Sequence, residues 1–186
     1  MAMVITIIIS TLFFALLLLF YIDNAIQFVS AERITGNSTN DNLVGTPDND
    51  RISGSGGNDT LIGLAGIDEI DGGRGIDAIE GSENEDYLIG GTQDDVIRGD
   101  SGDDEVEGNG GDDTVLGGPG NDSLFGGTGR DNVNGDDGND KLFGGLGEDI
   151  LSGGKGKDYF NCGVGQDRAA NFNAADGDSK SYNCES

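Results

Sequence analysis

The sequence predicts an all-β solenoid, and three observations predict it. From Gly36 onward the chain divides into fifteen consecutive blocks of nine residues with no insertion. The sixth residue of every block is aspartate, from Asp41 to Asp167, and the eighth is apolar, from Leu43 to Ala169. Glycine opens fourteen of the blocks, and Cys162 opens the last. A fixed short period of this kind means that each unit buries its apolar side chain only by stacking on its neighbours.

The elements follow in chain order. Val4 to Ile22 is an uncharged apolar run of nineteen residues, expected to form an N-terminal hydrophobic helix. Two readings stay open for it. Val29-Ser30-Ala31 supplies a small-residue cleavage site before Glu32, which makes residues 1–31 a secretory signal peptide. The length of the run and the lack of Lys or Arg before it favour a membrane-spanning anchor instead. Either way the chain beyond residue 31 is expected outside the cytosol, secreted or held at the cell surface. Membrane contact is expected only if residues 4–22 are an uncleaved anchor.

Residues 32–170 carry the solenoid. The last three residues of each block read x-U-x with U apolar, and a three-residue strand points one side chain inward and its flanks outward. The first six residues must then turn the chain, and glycine accepts the positive φ that such turns require. At the fourth position Asp48 and Asn84 are tolerable replacements for glycine; Thr39 and Gln93 are not, so the blocks from Gly36 and Gly90 are expected to be looser. Residues 171–186 form a C-terminal cap. Cys162 and Cys184 are the only cysteines, and outside the cytosol an isolated pair is most simply a disulfide.

Composition narrows the function. With 10 basic against 35 acidic residues the net charge is -25, which repels nucleic acid. The absence of histidine removes imidazole-based catalysis and imidazole metal sites. Adjacent acids such as Asp103 and Asp104 recur in plain repeats without a binding aromatic, which argues against a glycosidase pair, and the chain reads as a non-enzyme. The fifth-position acids Asp94, Asp103 and Asp112 vary with Asn, Ile, Arg and Lys and read as solvent-facing. The sixth-position aspartates differ. Stacking brings them within a few ångströms of each other, which is unfavourable until a hard divalent cation sits between them. Calcium takes six to eight oxygens from carboxylates and backbone carbonyls in tolerant geometry, and magnesium is less suited.

Blocks such as "GGRGIDAIE", "GGPGNDSLF", "GGLGEDILS" and "GGKGKDYFN" resemble the RTX, or hemolysin-type, calcium-binding nonapeptide repeat G-G-x-G-x-D-x-U-x. The resemblance covers residues 36 to about 170. It implies a right-handed parallel β-roll with two blocks per coil and several Ca2+ ions held in the turns. The implied side-chain ligands are Asp59, Asp68, Asp77, Asp86, Asp95, Asp104, Asp113, Asp122, Asp131, Asp140, Asp149, Asp158 and Asp167. Alternate aspartates would line opposite edges, with Asp95, Asp113, Asp131 and Asp149 on one and Asp104, Asp122, Asp140 and Asp158 on the other. The implied carbonyl donors include Gly108, Gly110, Gly117, Gly118, Gly120, Gly126, Gly127, Gly129, Gly144, Gly145 and Gly147. The tail resembles the closing segment of such arrays, with Asn171 in place of an Asp and Ala174 in place of a Pro, and with Asp176 and Asp178 as further candidate ligands.

The function expected from these readings is calcium binding by a secreted or surface β-roll that folds only with calcium. A surface adhesion or ligand-binding scaffold with an envelope partner is the alternative, as is a stand-alone remnant of a secreted RTX enzyme or toxin. The repeats begin about five residues after the cleavage site, which leaves no room there for a catalytic domain. The third position carries no regular Thr or Asn column of the kind an ice-binding face needs.

Overall fold

A computed structural model describes residues 32–181 and 183–185. The expected hydrophobic helix, the signal or anchor and its cleavage site all fall outside these residues. Among the described residues no helix is long and apolar enough to cross a membrane.

Among the described residues seventeen strands follow in chain order. They are β1 (Arg33–Thr35), β2 (Asn42–Val44), β3 (Arg51–Gly56), β4 (Thr60–Ala65), β5 (Glu69–Arg74) and β6 (Ala78–Glu83). Then come β7 (Tyr87–Thr92), β8 (Val96–Ser101), β9 (Glu105–Gly110), β10 (Thr114–Pro119), β11 (Ser123–Thr128) and β12 (Asn132–Asp137). The last are β13 (Lys141–Leu146), β14 (Ile150–Ser152), β15 (Tyr159–Val164), β16 (Arg168–Ala169) and β17 (Ser179–Lys180). Odd-numbered strands form one nine-stranded sheet and even-numbered strands an eight-stranded one, each in chain order and parallel throughout. Each residue pairs with the one eighteen positions on, as Leu124 does with Leu142 and Val115 with Val133. The chain is therefore a parallel β-solenoid of about eight turns, two blocks to the turn.

The core is one side chain per block. Ile52, Ile70, Leu88, Val106, Leu124, Leu142 and Phe160 come from one sheet and meet Leu61, Ile79, Ile97, Val115, Val133 and Leu151 from the other, all fully buried. The apolar eighth position thus does what its period predicts.

The strands are longer than expected. Most span six residues, from position seven of one block to position three of the next, because the ladder continues past the opening glycine. The second residue of each block from Ser55 to Gly163 then takes a positive φ, which bends the strand into the turn. Leu64 accepts this conformation at φ 88 without glycine's freedom.

Two local expectations divide. The block from Gly36 carries only a three-residue strand, β2. The block from Gly90 is not shortened: Gln93 takes φ 77, and both β7 and β8 keep six residues. This is the positive φ at position four that Asn84 (φ 79) and several of the position-four glycines also take. The register also reaches further upstream than the motif. β1 pairs with β3 in the same eighteen-residue step, with Ile34 opposite Ile52.

The far end closes as the cysteines indicate. Cys162 and Cys184 are bonded, with Cα atoms 5.2 Å apart. β17 joins β15 with a step of twenty residues, Tyr159 opposite Ser179, so the repeat register ends there. Phe172 packs edge-on against Phe160 at 6.0 Å, and the Lys180 ammonium sits 4.8 Å over the Phe172 ring.

Candidate metal centres in the turns

Each turn is built around its aspartate. One carboxylate oxygen, Oδ1, accepts the backbone N–H of the aspartate one coil earlier. Asp95 donates to Asp113 at 2.8 Å, Asp104 to Asp122 at 2.9 Å and Asp113 to Asp131 at 2.9 Å. The same bond recurs along both edges, from Asp41 to Asp59 at one end and from Asp149 to Asp167 at the other. The structure thus brings the predicted aspartates into two columns. Asp59, Asp77, Asp95, Asp113, Asp131, Asp149 and Asp167 stand in one; Asp68, Asp86, Asp104, Asp122, Asp140 and Asp158 stand in the other. All are buried.

The second oxygen has no partner. Oδ2 of every aspartate from Asp59 to Asp167 is buried without a hydrogen bond. From Asp59 to Asp158 it lies against the glycine that opens its own block. A Cβ on Gly117 would stand 2.2 Å from Asp122 Oδ2 and 2.9 Å from the carbonyl oxygen of Gly135 in the next coil. Gly126 stands in the same relation to Asp131 Oδ2 and the Gly144 carbonyl, at 2.6 and 2.7 Å. Only glycine leaves this space to oxygens.

A second set of oxygens lines the turn. The position-four carbonyls of Gly102, Gly111, Gly120 and Gly129 accept no backbone N–H. They point along the stack at the next coil: a Cβ on Gly120 would meet the Gly102 oxygen at 1.6 Å and Asp122 Oδ1 at 3.1 Å. The predicted carbonyl donors accordingly fall into three groups. Gly120, Gly129 and Gly147 are at position four, in the turns. Gly108, Gly117, Gly126 and Gly144 open their blocks, and their carbonyls lie by the Oδ2 of the preceding coil. Gly118, Gly127 and Gly145 at position two and Gly110 at position three stand further along the same strands in ladder register with the next coil, as Gly127 does with Gly145.

The electrostatics oppose an ion-free state with charged carboxylates. Burial pushes the carboxyls of Asp86, Asp95, Asp122 and Asp131 up to about 7, against the lowering effect of the N–H bond to Oδ1, and neighbouring aspartates add to the rise. The same causes raise Asp104 and Asp140 to about 6. A buried anionic oxygen without a partner is costly. A proton or a cation removes that cost. Among the described residues no group of three carboxylates or thiols is placed to hold a metal ion alone. Any ion in the turns must therefore complete its shell with backbone carbonyls. That donor set, one or two carboxylate oxygens among carbonyls, fits calcium rather than a softer metal.

The fifth position is where sequence reasoning fell short. Asp94, Asp103 and Asp112 are exposed, as expected, but they are not idle. Asp94 Oδ1 accepts the Asp112 N–H at 2.9 Å, Asp103 Oδ1 accepts the Asn121 N–H at 2.8 Å, and Asp112 Oδ1 accepts the Arg130 N–H at 2.9 Å. Asp112 also pairs with the Arg130 guanidinium at 3.1 Å. Asn40, Asn49, Asn58, Asn121 and Asn139 accept in the same way, so an outer ladder runs beside the buried one. The signal was the Asn and Asp enrichment at position five, which variation with Ile and Lys concealed: those residues still donate their own N–H.

The family model of the RTX calcium-binding nonapeptide repeat, built of four copies, matches this chain repeatedly. Its matches run from 35–70 through 71–106 and 107–142 to 134–169. No curated protein matches the chain. The matches cover the same residues that form the stacked turns, from 35 to 169, and the chain belongs to the RTX calcium-binding nonapeptide repeat family.

Proposed function

We propose that this chain binds several calcium ions in the turns of its β-roll, outside the cytosol, and that calcium completes its fold. The observation that carries the reading is the series of buried, unpartnered Oδ2 atoms from Asp59 to Asp167. From Asp59 to Asp140 each Oδ2 lies by the carbonyl of the glycine that opens the block one coil on, while the unpaired position-four carbonyls, such as that of Gly102 by Asp122, lie by the Oδ1 side of the same carboxylates. On this reading Asp59 through Asp167 are the side-chain ligands. The carbonyls at positions one and four, such as Gly117, Gly120, Gly126, Gly129, Gly144 and Gly147, are better placed to join them than those at positions two and three.

The coupling of folding to calcium follows from the same atoms. The ligand set exists only when coils stack, so binding energy becomes folding energy. The apolar core is one side chain per block, thin for a chain of this length, and in an uncharged cation-free turn each aspartate must hold a proton. The role is structural rather than catalytic. Residues 1–31 serve as the signal or anchor that carries the β-roll out of the cytosol, and residues 171–186 as its cap.

Far-UV circular dichroism of residues 32–186 at neutral pH tests the coupling, first in chelator and then in rising calcium. The expected result is a β-rich spectrum that appears cooperatively with calcium and does not appear with equal magnesium. A β-rich spectrum at neutral pH in chelator refutes the coupling, and no calorimetric calcium binding refutes the function.

A further inference from the structure

The two aspartate columns do not run unchanged to their ends. Asp41 and Asp50 occupy the motif's sixth position like the others, yet neither leaves an oxygen unpaired. The Asn37 N–H donates to Asp41 Oδ2 at 2.8 Å, and the Asn37 side-chain amide donates to both carboxylate oxygens at 3.1 and 3.2 Å. The Thr46 N–H donates to Asp50 Oδ2 at 2.5 Å, and the Thr46 hydroxyl donates to the same oxygen at 3.0 Å. Asp50 Oδ1 meanwhile accepts the Glu32 N–H at 2.7 Å.

The backbone explains the difference. Asn37 and Thr46 stand at position two, where every later block has a positive φ, and neither takes it. Thr46 is β-branched and disfavours that region strongly. With an ordinary φ the position-two N–H turns inward to the carboxylate, into the place where later turns leave Oδ2 bare. The same pattern closes the other end of one column. Asp178 Oδ1 accepts the Asp158 N–H at 3.0 Å and its Oδ2 accepts the Asn173 N–H at 2.8 Å.

We infer that Asp41, Asp50 and Asp178 are metal-free caps, in which the chain's own N–H and hydroxyl donors replace the ion, and that calcium occupies only the stretch from Asp59 to Asp167. This rests on the calcium reading above and adds to it a boundary that the repeat motif does not show. The caps satisfy the sixth-position carboxylates at the stack ends, where solenoids otherwise fray, although Asp48 Oδ2 in the turn of Asp50 is itself buried without a partner. They also supply a first coil on which calcium-dependent coils assemble.

Calcium per chain, counted by titration calorimetry on residues 32–186, tests this with Asp→Asn variants. Asparagine keeps one acceptor and the shape, removes the charge and turns the other carboxylate oxygen into an NH2 donor, so the ion count is read on variants shown by circular dichroism to reach the same calcium-loaded fold. Asp41→Asn, Asp50→Asn and Asp178→Asn are expected to bind as many ions as the unaltered chain, whereas Asp113→Asn and Asp122→Asn each lose at least one. Loss of an ion from any of the first three, equal to that in Asp122→Asn, overturns the cap assignment and leaves the calcium reading intact. No loss in Asp113→Asn and Asp122→Asn defeats the calcium reading itself. A second variant works in the opposite direction. Asn37→Gly with Thr46→Gly permits the positive φ, strips the donors from Asp41 and Asp50 and is expected to raise the count. An unchanged count in that variant also overturns the assignment.

Discussion

Gly117→Ala is expected to damage the calcium-loaded fold far more than Gly56→Ala, although both glycines lie in strands, β10 and β3, with no positive φ. On propensity alone the two changes are equivalent, and each gains about 0.4–1 kcal/mol by restricting the unfolded chain. The surroundings separate them. A Cβ on Gly56 meets only Arg74, at 3.6 and 3.7 Å, which is ordinary contact. A Cβ on Gly117 meets Asp122 Oδ2 at 2.2 Å and both Asp122 Cγ and the Gly135 carbonyl oxygen at 2.9 Å. The carboxylate and the next coil's backbone must both move, and overpacking of this kind costs about 1–3 kcal/mol. Taking the upper end for a backbone contact, the net loss is about 2–2.5 kcal/mol. For a chain of this size that lowers Tm by roughly 4–10 °C. The assay is thermal unfolding of residues 32–186 at one fixed saturating calcium concentration, since ligand concentration shifts Tm by itself. Gly56→Ala is expected to hold or slightly raise Tm. Equal Tm for the two variants would refute the reasoning that the opening glycine is required by the oxygens it faces.

Three other outcomes follow from the geometry. Leu64→Gly relieves a left-handed residue at φ 88 and is expected to stabilise the fold by about 0.5–1 kcal/mol after glycine's own entropy cost, while Leu64→Ala brings no such gain; chemical denaturation compares them. In chelator, Asp86, Asp95, Asp122 and Asp131 hold their protons up to about pH 7 in the fold but release them near 3.8 when unfolded. The fold therefore binds more protons than the unfolded chain between those values, and its calcium-free stability falls as pH rises from about 4 to about 7. Circular dichroism in chelator should show more β structure near pH 5 than near pH 8, and the opposite trend would contradict the burial of these carboxyls. Replacing Cys162 and Cys184 together by serine opens a bridge between residues 22 apart, worth roughly 3 kcal/mol in the chain-entropy model. Hydrogen exchange should then rise first in β15 and β17, and uniform loss of protection along the stack would count against a local cap.

The sequence by itself determined the solenoid, its eighteen-residue coil, the single apolar column of each sheet, the two buried aspartate columns and the closing disulfide. A nine-residue period without slips places chemically identical residues at identical points of every half-coil, so one block stands for all. The tertiary structure decided what depends on contacts between coils. Strands run through the opening glycine because the ladder to the next coil continues there, and Gln93 takes the left-handed turn that its residue type alone does not favour. Position-five Asp and Asn side chains form a second ladder, since the backbone N–H they cap lies eighteen residues away. Above all, aspartates that look alike in the motif differ in which carboxylate oxygen is left unpaired. Asp41 and Asp50 meet the N–H of Asn37 and Thr46 while Asp59 through Asp167 meet none, because the φ of position two decides whether that N–H turns inward.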